Sequence, residues 1–227
     1  MKQILITGSN RGIGLALVEA YARAGDHVHA VCRQRSARLE ALAKETMTSI
    51  VADVDVRDTK SLIAAAALCG DPIDVLICNA GMLVSDSLPS LLDGSDNDAL
   101  LRQFEVNALG ALRTVTSFLR CMRPGGKIGL VSSLMGSMSD NASGGYYGYR
   151  MSKAALNAAG VSLACDLRAA GIAVAVLHPG YVDTDMTEGR GSLSPQESAR
   201  GLMARLETLT LDDSGGFWHT DGRALHW

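Results

Sequence analysis

Gln3-Ile-Leu-Ile-Thr-Gly-Ser-Asn-Arg-Gly-Ile-Gly14 is the stretch on which the reading of the fold turns. The run from Gln3 to Thr7, apolar at Ile4, Leu5 and Ile6, has the look of a strand buried on both faces of a parallel sheet. It passes through Gly8, Gly12 and Gly14 into Leu15, Leu17, Val18 and Tyr21, which recur at helical spacing up to the Ala24-Gly25 stop. A strand that turns through glycines straight into a helix brings backbone N–H groups and the positive end of a helix dipole together, which suits a pyrophosphate. Gly8, Gly12 and Gly14 let the chain turn and approach a ligand closely, and Ser9, Asn10, Arg11 and Ile13 complete the turn. Glycines also serve ordinary turns, so the pattern gains its weight from the strand before it and the helix after it.

Outward from this opening, the pattern repeats. Apolar runs predict strands at 27–32, 48–52, 74–78, 127–131, 172–177 and 216–218. Helical spacing fills the gaps at 36–44, 58–69, 149–168 and 195–206, and 96–122 reads as one long helix after a polar loop. Strict alternation of strand and helix predicts a parallel sheet covered on both faces. The expectation is one doubly wound, Rossmann-type α/β domain over residues 1–227, with about seven strands. The Gly/Ser-rich segment 136–148 is expected to be a mobile active-site loop.

Composition narrows the function. A hydrophobic share of 47% with 20% charged residues supports a packed core. A net charge of −3 offers no electrostatic footprint for nucleic acid or an anionic membrane, and no apolar run approaches a bilayer span. Met1-Lys2 leads directly into the first strand with no small-residue cleavage site, which reads as the absence of a signal peptide. Five scattered cysteines without C-x-x-C spacing read as reduced thiols in a cytoplasmic protein. His27 and His29 share a strand face but have no further ligands nearby, so no metal is expected.

Ligands of such sheets bind beyond the carboxyl ends of the strands. An NAD site carries an acid at the end of the second strand to accept from the ribose 2′-hydroxyl. Here that place reads Val31-Cys32-Arg33. Arg33, with Arg11 in the glycine turn, offers cations for a 2′-phosphate, which points to NADP(H) over NAD(H); otherwise the two are solvated surface arginines. Further on, Tyr149-Arg-Met-Ser-Lys153 places a phenol and an ammonium four residues apart, on one face of a helix. A nearby cation favours the phenolate and is expected to lower the tyrosine's pKa from its ordinary value of about 10. Taken alone, the pair carries little weight.

Together, Thr7-Gly-Ser-Asn-Arg-Gly-Ile-Gly14, Asn79-Ala-Gly81, Ser133, Tyr149-x-x-x-Lys153 and Pro179-Gly-Tyr-Val-Asp-Thr184 resemble the short-chain dehydrogenase/reductase family, in family order and over almost the whole chain. The stretch 143–157 and the tail 216–227 resemble its branch of small carbonyl reductases that includes C-factor and Sniffer. The resemblance implies an oxidoreductase that reduces a ketone or aldehyde with NADPH. Tyr149 would be the general acid, and Lys153 would tune it and bond the nicotinamide ribose. Ser133 would donate to the carbonyl oxygen; its neighbour Ser132 competes, and Ser133 is preferred because the family's serine is usually second in such a pair. Asn107, in the long helix, would hold a water linking Lys153 to solvent. Asp53 and Val54 would meet the adenine, and Asn79, Ala80 and Gly81 would line the adenine-ribose side. Thr184, after Pro179, Gly180 and Val182, would grip the nicotinamide carboxamide.

Two departures stand out. Ser133 lies sixteen residues before Tyr149, a wider gap than is common in the family, because of the insert at 139–143. Tyr146 and Tyr147 crowd the motif but lack a lysine four residues on, and are expected to shape the pocket with the segments 135–147 and 186–190. Two rivals stay open: an NADP(H)-binding signalling or sensing protein with little turnover, and the same site working as an alcohol dehydrogenase. Relatives often pair through the two long helices, which would give a homodimer or homotetramer, while the Ala-rich faces of those helices serve internal packing equally well.

Overall fold

A computed structural model describes residues 1–70, 72–94 and 96–227. Its strands are β1 (Gln3–Thr7), β2 (His27–Val31), β3 (Thr48–Val51), β4 (Ile73–Cys78), β5 (Met122–Val131), β6 (Ala173–His178) and β7 (Phe217–His219). They form one seven-stranded sheet in the order β3-β2-β1-β4-β5-β6-β7, every neighbouring pair parallel. The helices are α1 (Gly12–Arg23), α2 (Ala37–Glu45), α3 (Thr59–Ala67), α4 (Leu88–Leu92), α5 (Asn97–Phe104), α6 (Gly110–Phe118), α7 (Tyr147–Leu167) and α8 (Pro195–Thr208).

Alternation along each strand divides the core between the two faces. Ile4, Ile6, Val28, Ala30 and Leu177 pack toward α1 and α8, meeting Leu17, Val18, Tyr21, Leu202 and Leu206. Leu5, Val31, Leu76, Ile128 and Val174 face the other way, toward Leu62, Val115, Phe118, Leu156 and Leu167 of α3, α6 and α7. The strand order reverses between β1 and β4, which opens a crevice at their carboxyl ends, where such sheets bind ligands.

The expected long helix over 96–122 is not one regular helix. After α5, Glu105–Leu109 forms a π-helical turn in which the Gly110 N–H reaches back to the Glu105 carbonyl. α6 follows, then a 3-10 turn at Leu119–Cys121. β5 begins at Met122, five residues before the expected start at Lys127: Met122 pairs with Ile73, and the register slips before resuming at Val75 with Lys127. The intervening Arg123-Pro124-Gly125-Gly126 accounts for the slip, because Pro124 cannot donate to the ladder and Gly125 takes φ +82°. The polar loop after β4 also carries the short helix α4, with Pro89 in its first turn and a Ser87–Ser90 capping box. Among the described residues, no helix is long and apolar enough to cross a membrane.

Candidate active site

The glycine turn is drawn tight from behind. Gly8 and Gly12 have φ of +68° and +54°, and a methyl on Gly14 would stand 2.1 Å from the Gly8 carbonyl oxygen. The Asn79 amide, just past β4, donates to the Thr7 and Gly8 carbonyls at 3.1 Å each. The Thr7 hydroxyl accepts from the Asn79 and Ala80 N–H groups. Ser9 is fully buried and donates to the Val31 carbonyl at 3.0 Å, so its hydroxyl fastens the turn to β2. Asn10 accepts from the Ser36 hydroxyl through its carbonyl, and Ile13 packs against the core.

α1 starts at Gly12 with Arg11 as its N-cap, without a side-chain cap and without an acid in the first turn. A helix start of this kind presents donors and a positive dipole end to the crevice, so the residues fit the diphosphate of a dinucleotide. Arg33 is exposed beyond β2, and Asp53 is exposed beyond β3 at φ +61°. Val54 is buried and bonds the Cys32 carbonyl through its N–H. The Asp55 carboxyl is held below its ordinary range, mainly by its hydrogen bond from Arg57, with Arg33 adding a smaller pull. Arg11 is engaged elsewhere: it pairs with Asp185 at 2.6 Å on the protein surface.

Asp185 lies on the segment that follows β6. Gly180 turns that segment with φ +85°, Val182 is buried and bridges to Leu193, and the Pro179 carbonyl accepts from the Ser198 hydroxyl at 2.7 Å. Thr184 comes close enough to the glycine turn that its Cγ2 would touch a methyl on Gly12 at 3.4 Å. The segment after β6 therefore faces the glycine turn.

The chemical centre lies between β5 and α7. Tyr149 and Lys153 are both buried, with the Lys153 Nζ 5.6 Å from the phenol ring centroid. Burial pushes the Tyr149 phenol up to about 12, opposed by a side-chain hydrogen bond with Ser133. Burial likewise pushes Lys153 down to about 8. Its ammonium donates to the Val131 carbonyl at 2.8 Å. The expected lowering of the tyrosine is thus reversed, because the loss of water outweighs the opposing hydrogen bond. The hydrogen bond that opposes the rise of the phenol is with Ser133, not with its neighbour Ser132. The Ser132 hydroxyl instead donates to the Asn157 amide oxygen at 2.5 Å, and the Asn157 amide donates to the Gly136 carbonyl.

Asn107 sits in the π-helical turn. Its amide oxygen accepts from the Met82 N–H, and its amide nitrogen donates to the Met82 carbonyl and the Ser152 hydroxyl, at 2.8, 2.8 and 3.0 Å. The side chain therefore ties the segment after β4 to α7. Gly81 completes this wall; a methyl there would lie 3.3 Å from the Asn107 oxygen and 3.7 Å from the Lys153 Nζ.

Sequence reasoning missed two supports of this centre. Asp86, buried in the segment between β4 and α4, accepts from the Tyr147 and Gly148 N–H groups with its carboxylate and from the Tyr146 N–H with its carbonyl. It caps α7 from outside, where the helix's own N-cap, Tyr146, is left-handed and makes no side-chain cap bond. No local pattern marks an acid that acts 61 residues away. His178 ends β6, and its Nδ1 accepts from the Leu134 N–H at 3.2 Å; its place at the ligand end of a strand was a legible signal. The loop 136–148, expected to be mobile, is tied at several points. Ser139 donates to the Trp227 carbonyl, and Arg150 donates to Met135, Ser143 and Gly145.

Comparison with known proteins identifies the family. The family described as "short chain dehydrogenase" matches residues 2–193. The 1-hydroxy-2-glutathionyl-2-methyl-3-butene dehydrogenase of Rhodococcus sp. (strain AD45) is 37% identical over the full length of both chains. The carbonyl reductase Sniffer of D. melanogaster superposes over all of both chains with a TM-score of 0.92 at 31% identity. An NADPH-bound carbonyl reductase from chicken fatty liver does so with a TM-score of 0.89 at 30% identity, covering 100% of this chain and 99% of that one. With the glycine turn, the Tyr149–Lys153 pair and the Pro179-Gly180 segment all inside the matched region, the chain belongs to the short-chain dehydrogenase/reductase family of oxidoreductases, in the branch of the small Sniffer-like carbonyl reductases.

Proposed function

We propose that the chain is an NADPH-dependent carbonyl reductase converting a ketone or aldehyde to an alcohol. The observation that carries this reading is the buried Tyr149–Lys153 pair on α7, with the Lys153 Nζ 5.6 Å from the phenol ring centroid and Ser133 opposing the rise of the phenol. When bound, the nicotinamide supplies the hydride for the carbonyl carbon. Tyr149 gives its proton to the carbonyl oxygen, and Ser133 donates a hydrogen bond to that oxygen as charge develops on it. Lys153 steadies the charge left on the phenol. Asn107 acts through structure, holding Met82 and α7 around the lysine; a water linking Lys153 to solvent would rest on its backbone, since its amide is engaged.

Preference for NADP(H) is supported by Arg33 standing where an acid would serve NAD, and by the NADPH-bound relative from chicken. Gly8, Gly12 and Gly14 would admit the diphosphate, Asp53 and Val54 would meet the adenine, and Thr184 would hold the carboxamide. The five free cysteines support a reducing, cytoplasmic setting. Exposed Leu101 and Phe104 on α5, with Met151 and Val161 on α7, support pairing of copies through these helices.

A second reading, alcohol oxidation, is favoured by the Rhodococcus relative, whose name is that of a dehydrogenase. The same residues serve either direction, since Tyr149 would give its proton in reduction and take one in oxidation, and measuring both reactions decides between them. A purely sensing protein has no use for a phenol with a donor and a buried cation beside it. The test is a fluorescence titration with NADPH and NADH, followed by a panel of carbonyls. NADPH should bind more tightly and be consumed, and Tyr149→Phe should bind it normally while losing roughly 10²–10⁴-fold in turnover. Tight binding without consumption across the panel would favour the sensor, and a fully active Tyr149→Phe would remove the acid.

A further inference from the structure

We propose that His178 is a positioning residue for Ser133, holding the serine hydroxyl toward Tyr149 through the backbone amide of Leu134. This rests on the reading of Ser133 and Tyr149 as the reductase centre.

The case begins with the ladder between β5 and β6. Val131 pairs with Leu177, and the Ser132 N–H donates to the Leu177 carbonyl at 2.7 Å. In a parallel ladder the next donor on β5 is Leu134, and its partner would be the carbonyl of Pro179. That carbonyl is directed elsewhere, accepting from the Ser198 hydroxyl of α8 at 2.7 Å. The ladder cannot continue, because Gly180 turns the chain away at φ +85°. The Leu134 N–H takes the His178 ring instead: Nδ1 accepts at 3.2 Å. A side chain thus replaces the missing backbone acceptor, one residue after Ser133.

The consequence falls on the 3-10 turn Leu134–Gly136. Its other amides close on Ser133 itself, with the Met135 N–H bonded to the hydroxyl oxygen at 3.2 Å and the Gly136 N–H to the carbonyl at 2.9 Å. Ser133 is therefore an anchor of the turn, and among the described residues the turn's one tie to β6 is the imidazole. A methyl on Gly136 would be 2.8 Å from the Lys153 backbone carbonyl carbon, so the turn also rests directly on α7.

The imidazole is itself held. His219 of β7 pairs with His178 in register and packs edge-on against it, ring centroids 5.0 Å apart. The Thr220 N–H bonds the His178 carbonyl at 2.9 Å, and Asp221 holds the His219 ring at 2.9 Å. Burial first, then His219 and Arg223, push His178 down to about 4 against the opposing pull of Asp221. The ring is neutral at ordinary pH, and an accepting Nδ1 requires the proton to be on Nε2.

Three replacements separate the roles. In His178→Asn the amide oxygen can take the place of Nδ1; in His178→Gln the amide lies farther out, near the place of Nε2; His178→Ala offers no acceptor. We expect Asn to keep kcat within about 3-fold of wild type, and Gln and Ala to lose about 10–100-fold, the cost of a misplaced catalytic group. NADPH affinity should stay within about 2-fold in all three, since the glycine turn is untouched. Equal losses for Asn and Gln, unchanged kcat for Ala, or losses that follow NADPH affinity or melting temperature would each overturn the proposal. A ¹⁵N-histidine NMR spectrum of the wild-type protein tests the contact without turnover, and should show Nε2 protonated and Nδ1 accepting. An Nδ1-protonated ring at neutral pH would sink the proposal even in an active enzyme. A wild-type protein that reduces no carbonyl would instead sink the reductase reading, with the NMR result still deciding the contact.

Discussion

Tyr149 and Lys153 are displaced in opposite directions by the same cause. Burial disfavours charge on either, so the phenol rises to about 12 and the ammonium falls to about 8. Reduction needs the phenol protonated and the lysine charged, and both conditions hold below about pH 8. The rate of carbonyl reduction at saturating NADPH should therefore be level at lower pH and fall as pH rises through about 8, when Lys153 loses its proton. A profile flat to about pH 10 would show that the lysine's charge has no part in the chemistry. The second prediction at this scale concerns Arg33, which lies exposed beyond β2 with no acid beside it in sequence. Arg33→Ala should weaken NADPH by about 10–100-fold, the worth of a charge-assisted hydrogen bond, and NADH by less than about 3-fold. Direct titration with both nucleotides measures the ratio, and equal losses would remove the arginine from the 2′-phosphate site.

α7 carries Tyr149 and Lys153, and its start is fixed by a residue from another element. The N–H groups of Tyr147 and Gly148 would be unpartnered in a buried helix end, and the Asp86 carboxylate takes both. Asp86→Ala should cost about 1–2 kcal/mol, the usual worth of a cap, and lower the melting temperature by about 2–8 °C for a chain of this size. Turnover should fall further than stability requires, since Tyr149 follows one residue after Gly148. Asp86→Asn, which keeps one acceptor but turns a donor toward the second N–H, should fall between; an alanine variant as active and as stable as wild type would show the cap to be idle. This cap also shows where sequence reading stops. Apolar spacing and the Tyr149/Lys153 interval located α7, because those signals are local. Asp86 and His178 act across 61 and 44 residues, and only the folded chain brings them to Tyr147 and Leu134. The π-helical turn at Glu105–Leu109 was hidden for a related reason: one widened turn leaves the helical spacing on either side intact.

At the scale of the molecule, the alternating pattern made the doubly wound sheet legible, and the reversal between β1 and β4 places the glycine turn and Asn79 on opposite sides of one crevice. The polar groups at the mouth of the sheet were less legible, because burial depends on neighbours that no window of sequence contains. Lys153 is the extreme case, a cation only 4% exposed, with its ammonium on the Val131 carbonyl. Holding it charged against a fall from 10.5 to about 8 costs the fold roughly 3 kcal/mol at neutral pH. Lys153→Met fills a similar volume without the charge, at the smaller cost of leaving the Val131 carbonyl without its donor. The variant should be inactive yet melt a few degrees higher than wild type at pH 7. The pH dependence checks the cause. Between about 8 and 10.5 the unfolded lysine binds more protons than the folded one, so wild-type stability from this group rises with pH across that window. The methionine variant lacks that rise, so its advantage should be largest below about pH 8 and shrink steadily above it. An advantage that is the same at pH 7 and near pH 10 would mean that packing, and not a buried charge, separates the two proteins.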